Sequence, residues 1–139
     1  MERQAWPSLT PARCTAAADT DDQDHLACRA ALSRADLPLV VPTLVIAEAT
    51  YFVGSRLGAA AESAFLRGIG ELDVEGPSPE DFKRMAELVE QYAHFPLGGT
   101  DASVIALAER LDAPIVVTLD RRHFAAVTPR HRDAFELVP

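Results

Sequence analysis

The chain has 139 residues, 48% of them hydrophobic and 24% charged, enough to bury one core without disulfide or metal staples. Its formal charge of −8 excludes broad, charge-driven nucleic-acid binding, which depends on many Lys and Arg side chains displacing counterions from phosphates. Pro42, Glu48 and Arg56 interrupt the best apolar stretch, no signal-peptide pattern opens the chain, and Cys14 and Cys28 read as reduced thiols, so a cytoplasmic protein without membrane contact is expected.

Apolar residues Leu26, Ala27, Ala30, Ala31 and Leu32 recur at helical spacing, with Asp21, Asp22 and Asp24 at the favourable end of the dipole, and predict a helix over 22–34. Leu37 to Pro42 follows as a short apolar run bounded by prolines, the pattern of a buried parallel strand. Thr43 is placed to cap a helix from Leu44 to Leu57, stopped by Gly58, and a further helix covers Ala59 to Arg67. Leu72 to Val74 is a short strand candidate. Pro77-Ser78-Pro79 then turns into a helix from Glu80, whose inner stripe reads as Phe82, Met85, Ala86, Leu88 and Val89. Thr100 is placed to cap the Ala/Leu/Ile helix from Ala102 to Leu111. Pro114 to Thr118 is β-branched and unbroken, as in a strand covered on both faces. A short helical turn at Arg121 to Phe124 and an edge strand at Phe135 to Val138 close the chain. Strands separated by helices predict one α/β domain with a parallel central sheet covered on both sides.

Three acids stand where an acid is locally unexpected. Glu48 lies inside the apolar run VIAEATYFV, Asp101 opens a helix, and Asp120 follows the buried strand IVVTL. A carboxylate among apolar residues is costly unless it is paired or binds a metal, and ligands of open parallel sheets gather at the carboxyl ends of strands. Each position also has an ordinary explanation. Asp101 can be a helix-start acid, Glu48 a surface residue on a helix less buried than it reads, and Asp120 a turn-capping side chain. Arg121 and Arg122 lie beside Asp120 and are placed to contact phosphates. His25, His94 and His131 show no zinc-ligand spacing.

The segments VIAEATYFVGSRLG, LGGTDASVIALAER and VVTLDRRHF resemble, in that order, the three later acidic motifs of the PIN-domain family, ribonucleases of the VapC toxin type. The resemblance runs from about Asp19 to Pro139, leaving residues 1–18 as an atypical N-terminal segment before a PIN-like domain at 19–139. It implies a three-layer α/β/α fold in which Glu48, Asp101 and Asp120 are the catalytic, metal-binding acids. Thr118 takes the polar place before the last acid, and Arg121 and Arg122 contact substrate. It further implies Mg²⁺ or Mn²⁺, hard cations suited to carboxylate oxygens, and hydrolysis of RNA phosphodiesters in tRNA or rRNA by metal-activated water. The implied partners are a VapB-type antitoxin and a second copy of the chain.

The resemblance also implies a first strand ending in an aspartate, as a DTSAL-like segment. Here Trp6, Pro7, Pro11 and Arg13 oppose a buried strand, so the first strand is expected to be missing or altered. The codons of Leu9 to Cys14, read one base earlier, can spell Asp-Thr-Ser-Ala-Leu, which predicts that the segment is frameshifted and rejoins the family frame near 15–18. Two alternatives stand beside the toxin reading. One is a catalytically impaired PIN module that binds antitoxin or RNA. The other is a small Mg-binding regulatory domain, which would want a Lys after its last strand, whereas Lys83 is the only lysine.

Overall fold

The computed structural model describes residues 8–9, 21, 23, 25–32, 39–95, 97–113, 115–117 and 121–138. Among them the strands are β1 (Ser8–Leu9), β2 (Val40–Pro42), β3 (Asp73–Glu75), β4 (Ile115–Val117) and β5 (Glu136–Val138). The helices are α1 (His25–Leu32), α2 (Thr43–Leu57), α3 (Ala59–Ile69), α4 (Pro79–Gln91), α5 (Gly99–Arg110) and α6 (Arg121–Ala125). All five strands pair in parallel in the order β3-β2-β1-β4-β5.

That order fixes the layers. The chain travels outward from β1 to β2 and β3, then returns to the other side of β1 to lay down β4 and β5. Right-handed crossovers in opposite directions place their helices on opposite faces, so the sheet is the middle of three layers, as the sequence predicts. The reversal falls between β1 and β4. In open parallel sheets this switch point, at the carboxyl ends of the strands, is where ligands bind.

The first strand, expected to be missing or altered, is present in short form: Ser8–Leu9 occupies the centre of the sheet, with Ser8 opposite both Val40 and Val116 and Leu9 opposite Val117. Two residues are too few to carry a periodic signal, and the missing N–H groups of Pro7 and Pro11 fall outside the paired residues. The strand is altered rather than absent.

The core sits where α5 crosses the sheet. Ala102 to Ala108 are buried in unbroken succession, so α5 is covered on all sides, and its small residues allow close approach. Val41 and Val116 of the sheet, Val45 and Ala49 of α2, Met85 and Leu88 of α4, and Phe124 belong to the same cluster. Burying each of the larger side chains contributes about 1.5–3 kcal/mol.

Helix boundaries differ in small, physical ways from those expected. Thr43 and Thr100 lie inside their helices instead of capping them; Pro42 and Gly98 stand at the cap positions and neither start has a side-chain cap. The inner stripe of α4 is Asp81, Met85 and Leu88, whereas Phe82, at 54% exposure, and Val89 lie in solvent. Ser78 and Asp81 form a full capping box there, and Pro79 pre-sets the first turn. On α1, Leu26 and the neighbouring Ala27 and Ala30 are exposed, so the stripe read there faces outward among the described residues.

Gly58 joins α2 to α3 with φ 88° and ψ 178°, a conformation that L side chains rarely adopt. Its N–H bonds to the Gly54 carbonyl at 3.1 Å and its own carbonyl accepts from Glu62 at 3.1 Å, so one residue ends one helix and starts the next.

Candidate functional site

The buried face of α2 is Val45, Ala49 and Val53, spaced by four residues, and Glu48 lies off that line. Its carboxylate is exposed, so the cost of burying an acid among apolar residues is not incurred. The neighbours Tyr51 and Phe52 are likewise not core. Tyr51 is 70% exposed, and Phe52 carries the Arg56 guanidinium 5.2 Å from its ring centre.

Asp101 is half-buried in the first turn of α5. The N–H groups at this end of a helix give it a partial positive charge, which suits an acidic side chain. Ser103 tightens the turn by donating its hydroxyl to the Thr100 carbonyl at 2.6 Å. Helices α2 and α5 touch one another, and α5 also packs on β1 and β2, so the elements bearing Glu48 and Asp101 meet at the centre of the sheet.

Asp120 and Thr118 lie outside the described residues. Val117 ends β4, and Arg121 opens α6 directly after Asp120 in the chain. Arg122 is exposed, with its guanidinium 5.6 Å from the centre of the Phe95 ring. Phe95 in turn lies 5.2 Å from the His123 ring, tilted by 59°. Among the described residues no group of three or more His, Cys, Asp and Glu assembles into a metal centre. The donors that the three acids offer are carboxylate oxygens, which suit Mg²⁺ or Mn²⁺, and the exposure of Glu48 leaves it accessible to a hydrated ion.

A charged groove of about 390 Å³ runs between α4, α5 and the segment around Arg130, lined by Asp81, Arg84, Glu109, Arg110 and His131 among others. Neither Glu48 nor Asp101 lines it. Its charges are matched internally: Arg84 Nε donates to both Glu109 oxygens at 3.0 and 3.1 Å, and Arg110 Nε donates to Asp81 at 2.8 Å. This is a seam that fastens α4 to α5. Sequence reasoning missed it, although Ser78-Pro79-Glu80-Asp81 carries the spacing of a capping box.

The profile of the PIN domain matches residues 14–128. Ribonuclease VapC26 of Mycobacterium tuberculosis is 32% identical over 123 residues, covering 87% of this chain and 91% of the relative. The crystal structure of Mycobacterium tuberculosis VapC20, described as a toxin that cleaves the sarcin-ricin loop, superposes with a TM-score of 0.79 at 18% identity, over 95% of this chain and 98% of that one. VapBC2 from Rickettsia felis, solved bound to a DNA fragment from its promoter, gives a TM-score of 0.71 at 16% identity, again over 95% of this chain and 98% of that one.

Proposed function

We propose, from the premise that this chain belongs to the PIN-domain family and to its VapC toxin type, that it is the ribonuclease of a toxin–antitoxin pair. The observation that carries this reading is the relation to ribonuclease VapC26 across nearly the whole of both chains. The placement of Asp101 in the first turn of α5, on a helix packed against the central strand, supports it.

Glu48, Asp101 and Asp120 are the residues that would hold a divalent cation, and Thr118 would add a polar contact beside the last acid. Such an ion, when bound, lowers the pKa of water and offsets the charge that develops on the phosphate and leaving oxygen. The chain's own part is to fix the carboxylates, with Asp101 set in the first turn of α5, and to bring the RNA backbone to them through Arg121 and Arg122. An antitoxin of the VapB type, seated over the candidate acids, is the proposed partner, and the active species is proposed to be a homodimer. The regulatory-domain alternative receives no support from the relatives.

A second reading, that this chain is a catalytically impaired PIN module, is favoured by its N-terminus. β1 ends at Leu9 at the switch point, and the next residue is Thr10, which offers no carboxylate. The family match begins only at residue 14, where the frameshift reading has the family frame resume shortly afterwards. A reading-frame shift upstream of that point accounts for both.

The test is cleavage of a mixed tRNA and rRNA pool with Mg²⁺ or Mn²⁺ by three proteins: this chain, its Asp101→Asn variant, and a version with the reframed N-terminus. Metal-dependent cleavage by this chain, lost in Asp101→Asn, supports an active toxin. Cleavage only after reframing supports the impaired reading and the frameshift together. Silence from all three refutes the ribonuclease.

A further inference from the structure

We propose that Phe95, Arg122 and His123 form a subsite that holds an unpaired nucleotide of single-stranded RNA beside the acids. The proposal rests on the ribonuclease reading above and adds to it the residues that grip substrate.

The first argument is placement. Phe95 lies in the turn after α4, six residues before Asp101, whereas Arg122 and His123 follow Asp120 by two and three residues. The contacts of Phe95 with Arg122 and His123, at 5.6 and 5.2 Å between the centres given above, tie the approach to one acid to the exit from the other. A nucleotide held on this cluster would therefore be gripped by the chain that leads into Asp101 and by the helix that follows Asp120 in sequence.

The second argument is charge. The whole chain carries −8, which repels RNA, yet the segment from Arg121 to Arg132 contains four arginines, two histidines and no carboxylate. Within it, Arg130 is committed to Glu87 at 2.6 Å and His131 to the Ala113 carbonyl at 2.8 Å, which fastens the segment to the body of the domain. Arg122 is exposed and rests on an aromatic ring. A polyanion approaching this segment meets arginine and histidine without an intervening carboxylate.

The third argument is chemistry. Phe95 and His123 are half-buried at the surface of the domain, beside the exposed Arg122. Unpaired bases stack on phenyl, imidazole and guanidinium planes, and an arginine over an aromatic ring can still direct its N–H groups to a phosphate. Stacking of this kind tolerates every base and requires that the base be unstacked from its neighbours, which selects single strands and loops over duplex.

The experiment measures fluorescence anisotropy of a short labelled single-stranded RNA with Mg²⁺, using Asp101→Asn as the parent so that RNA is bound and not cut. Adding Phe95→Leu is expected to weaken binding about tenfold, within the range for loss of one stacked base, while Phe95→Trp restores it and the emission of the added indole is quenched by RNA. Arg122→Gln is expected to weaken binding and to lower the salt dependence by about one phosphate contact. If Phe95→Leu lowers the thermal midpoint, the quench and affinity of Phe95→Trp decide the matter. Equal affinity of parent and Phe95→Leu, or an added indole in Phe95→Trp whose emission is indifferent to RNA, overturns the subsite and leaves the ribonuclease to its cleavage test. A parent that binds no RNA overturns the subsite, and the ribonuclease falls with it only if the cleavage lanes are also blank.

Discussion

Asp81 is the acid whose removal has the most clearly defined consequence in this structure. Its side chain is 8% exposed, accepts the Ser78 N–H at 3.0 Å to complete the capping box, and accepts Arg110 Nε at 2.8 Å. Loss of half a capping box costs about 1 kcal/mol. A hydrogen bond to a charged partner is worth about 1.5–3 kcal/mol when buried. Arg110 is 35% exposed and keeps weaker contacts with Glu75 at 3.5 Å and the Gly76 carbonyl at 3.2 Å, so the lower end of that range applies. Asp81→Ala is therefore expected to destabilise the domain by about 2–3 kcal/mol, a fall of roughly 10 °C in midpoint for a domain of this size. Urea unfolding followed by circular dichroism measures it, and a cycle with Arg110→Ala should return a coupling of about 1 kcal/mol. A loss below about 0.5 kcal/mol, or strict additivity with Arg110→Ala, would refute the claim that this pair pins α4 to α5.

Three further outcomes can be checked by the same unfolding measurements. Gly58→Ala should cost about 1–2 kcal/mol through its backbone alone, since nothing lies within 4 Å of the added methyl. Asp112 holds φ 54° at the end of α5, where Ala113 N–H reaches the Ala108 carbonyl at 2.8 Å, so Asp112→Gly should stabilise by about 0.5–1 kcal/mol and a loss would refute the reasoning. Arg84 and Glu109, with side chains 13% and 9% exposed, should show the asymmetry of buried pairs: Arg84→Met alone costs about 3 kcal/mol, whereas Arg84→Met with Glu109→Leu comes close to neutral.

The strands at Val40 and Val116 were legible because β-branched runs covered on both faces have no other use in a short chain. Asp101 was legible for a different reason: an acid followed at once by a long Ala/Leu/Ile helix declares its own position at the dipole. What the pattern hid follows from burial that is not apolar. Asp81 takes the inner position that the apolar pattern assigns to Phe82, because the Ser78 N–H and Arg110 Nε satisfy its carboxylate and Phe82 lies one step round the helix. Glu48 misled in the opposite sense, since an apolar neighbourhood in sequence is not one in space when only every fourth residue faces the core. The Phe95 cluster joins residues 27 and 28 positions apart, which no local spacing reveals.

The architecture explains why segments so far apart in the chain meet at the centre of the sheet, and why the N-terminus matters. Only at the switch point do the connections leave the sheet in opposite directions, opening a crevice at the strand ends. β1 and β4 border that crevice, and Asp120 follows β4 by three residues. On β1, Leu9 lies opposite Val117, and the three residues that follow it in the chain are Thr10, Pro11 and Ala12, none of which carries a carboxylate. The neighbours that pair with β1, Val40, Val116 and Val117, supply a ladder that a two-residue strand of almost any sequence can join. The fold can thus survive a replaced N-terminus, while the crevice cannot regain a carboxylate from the ladder. Stability and catalysis are separable at this strand, so a folded protein with weakened metal binding is the expected phenotype, and reframing should restore the second without much change in the first.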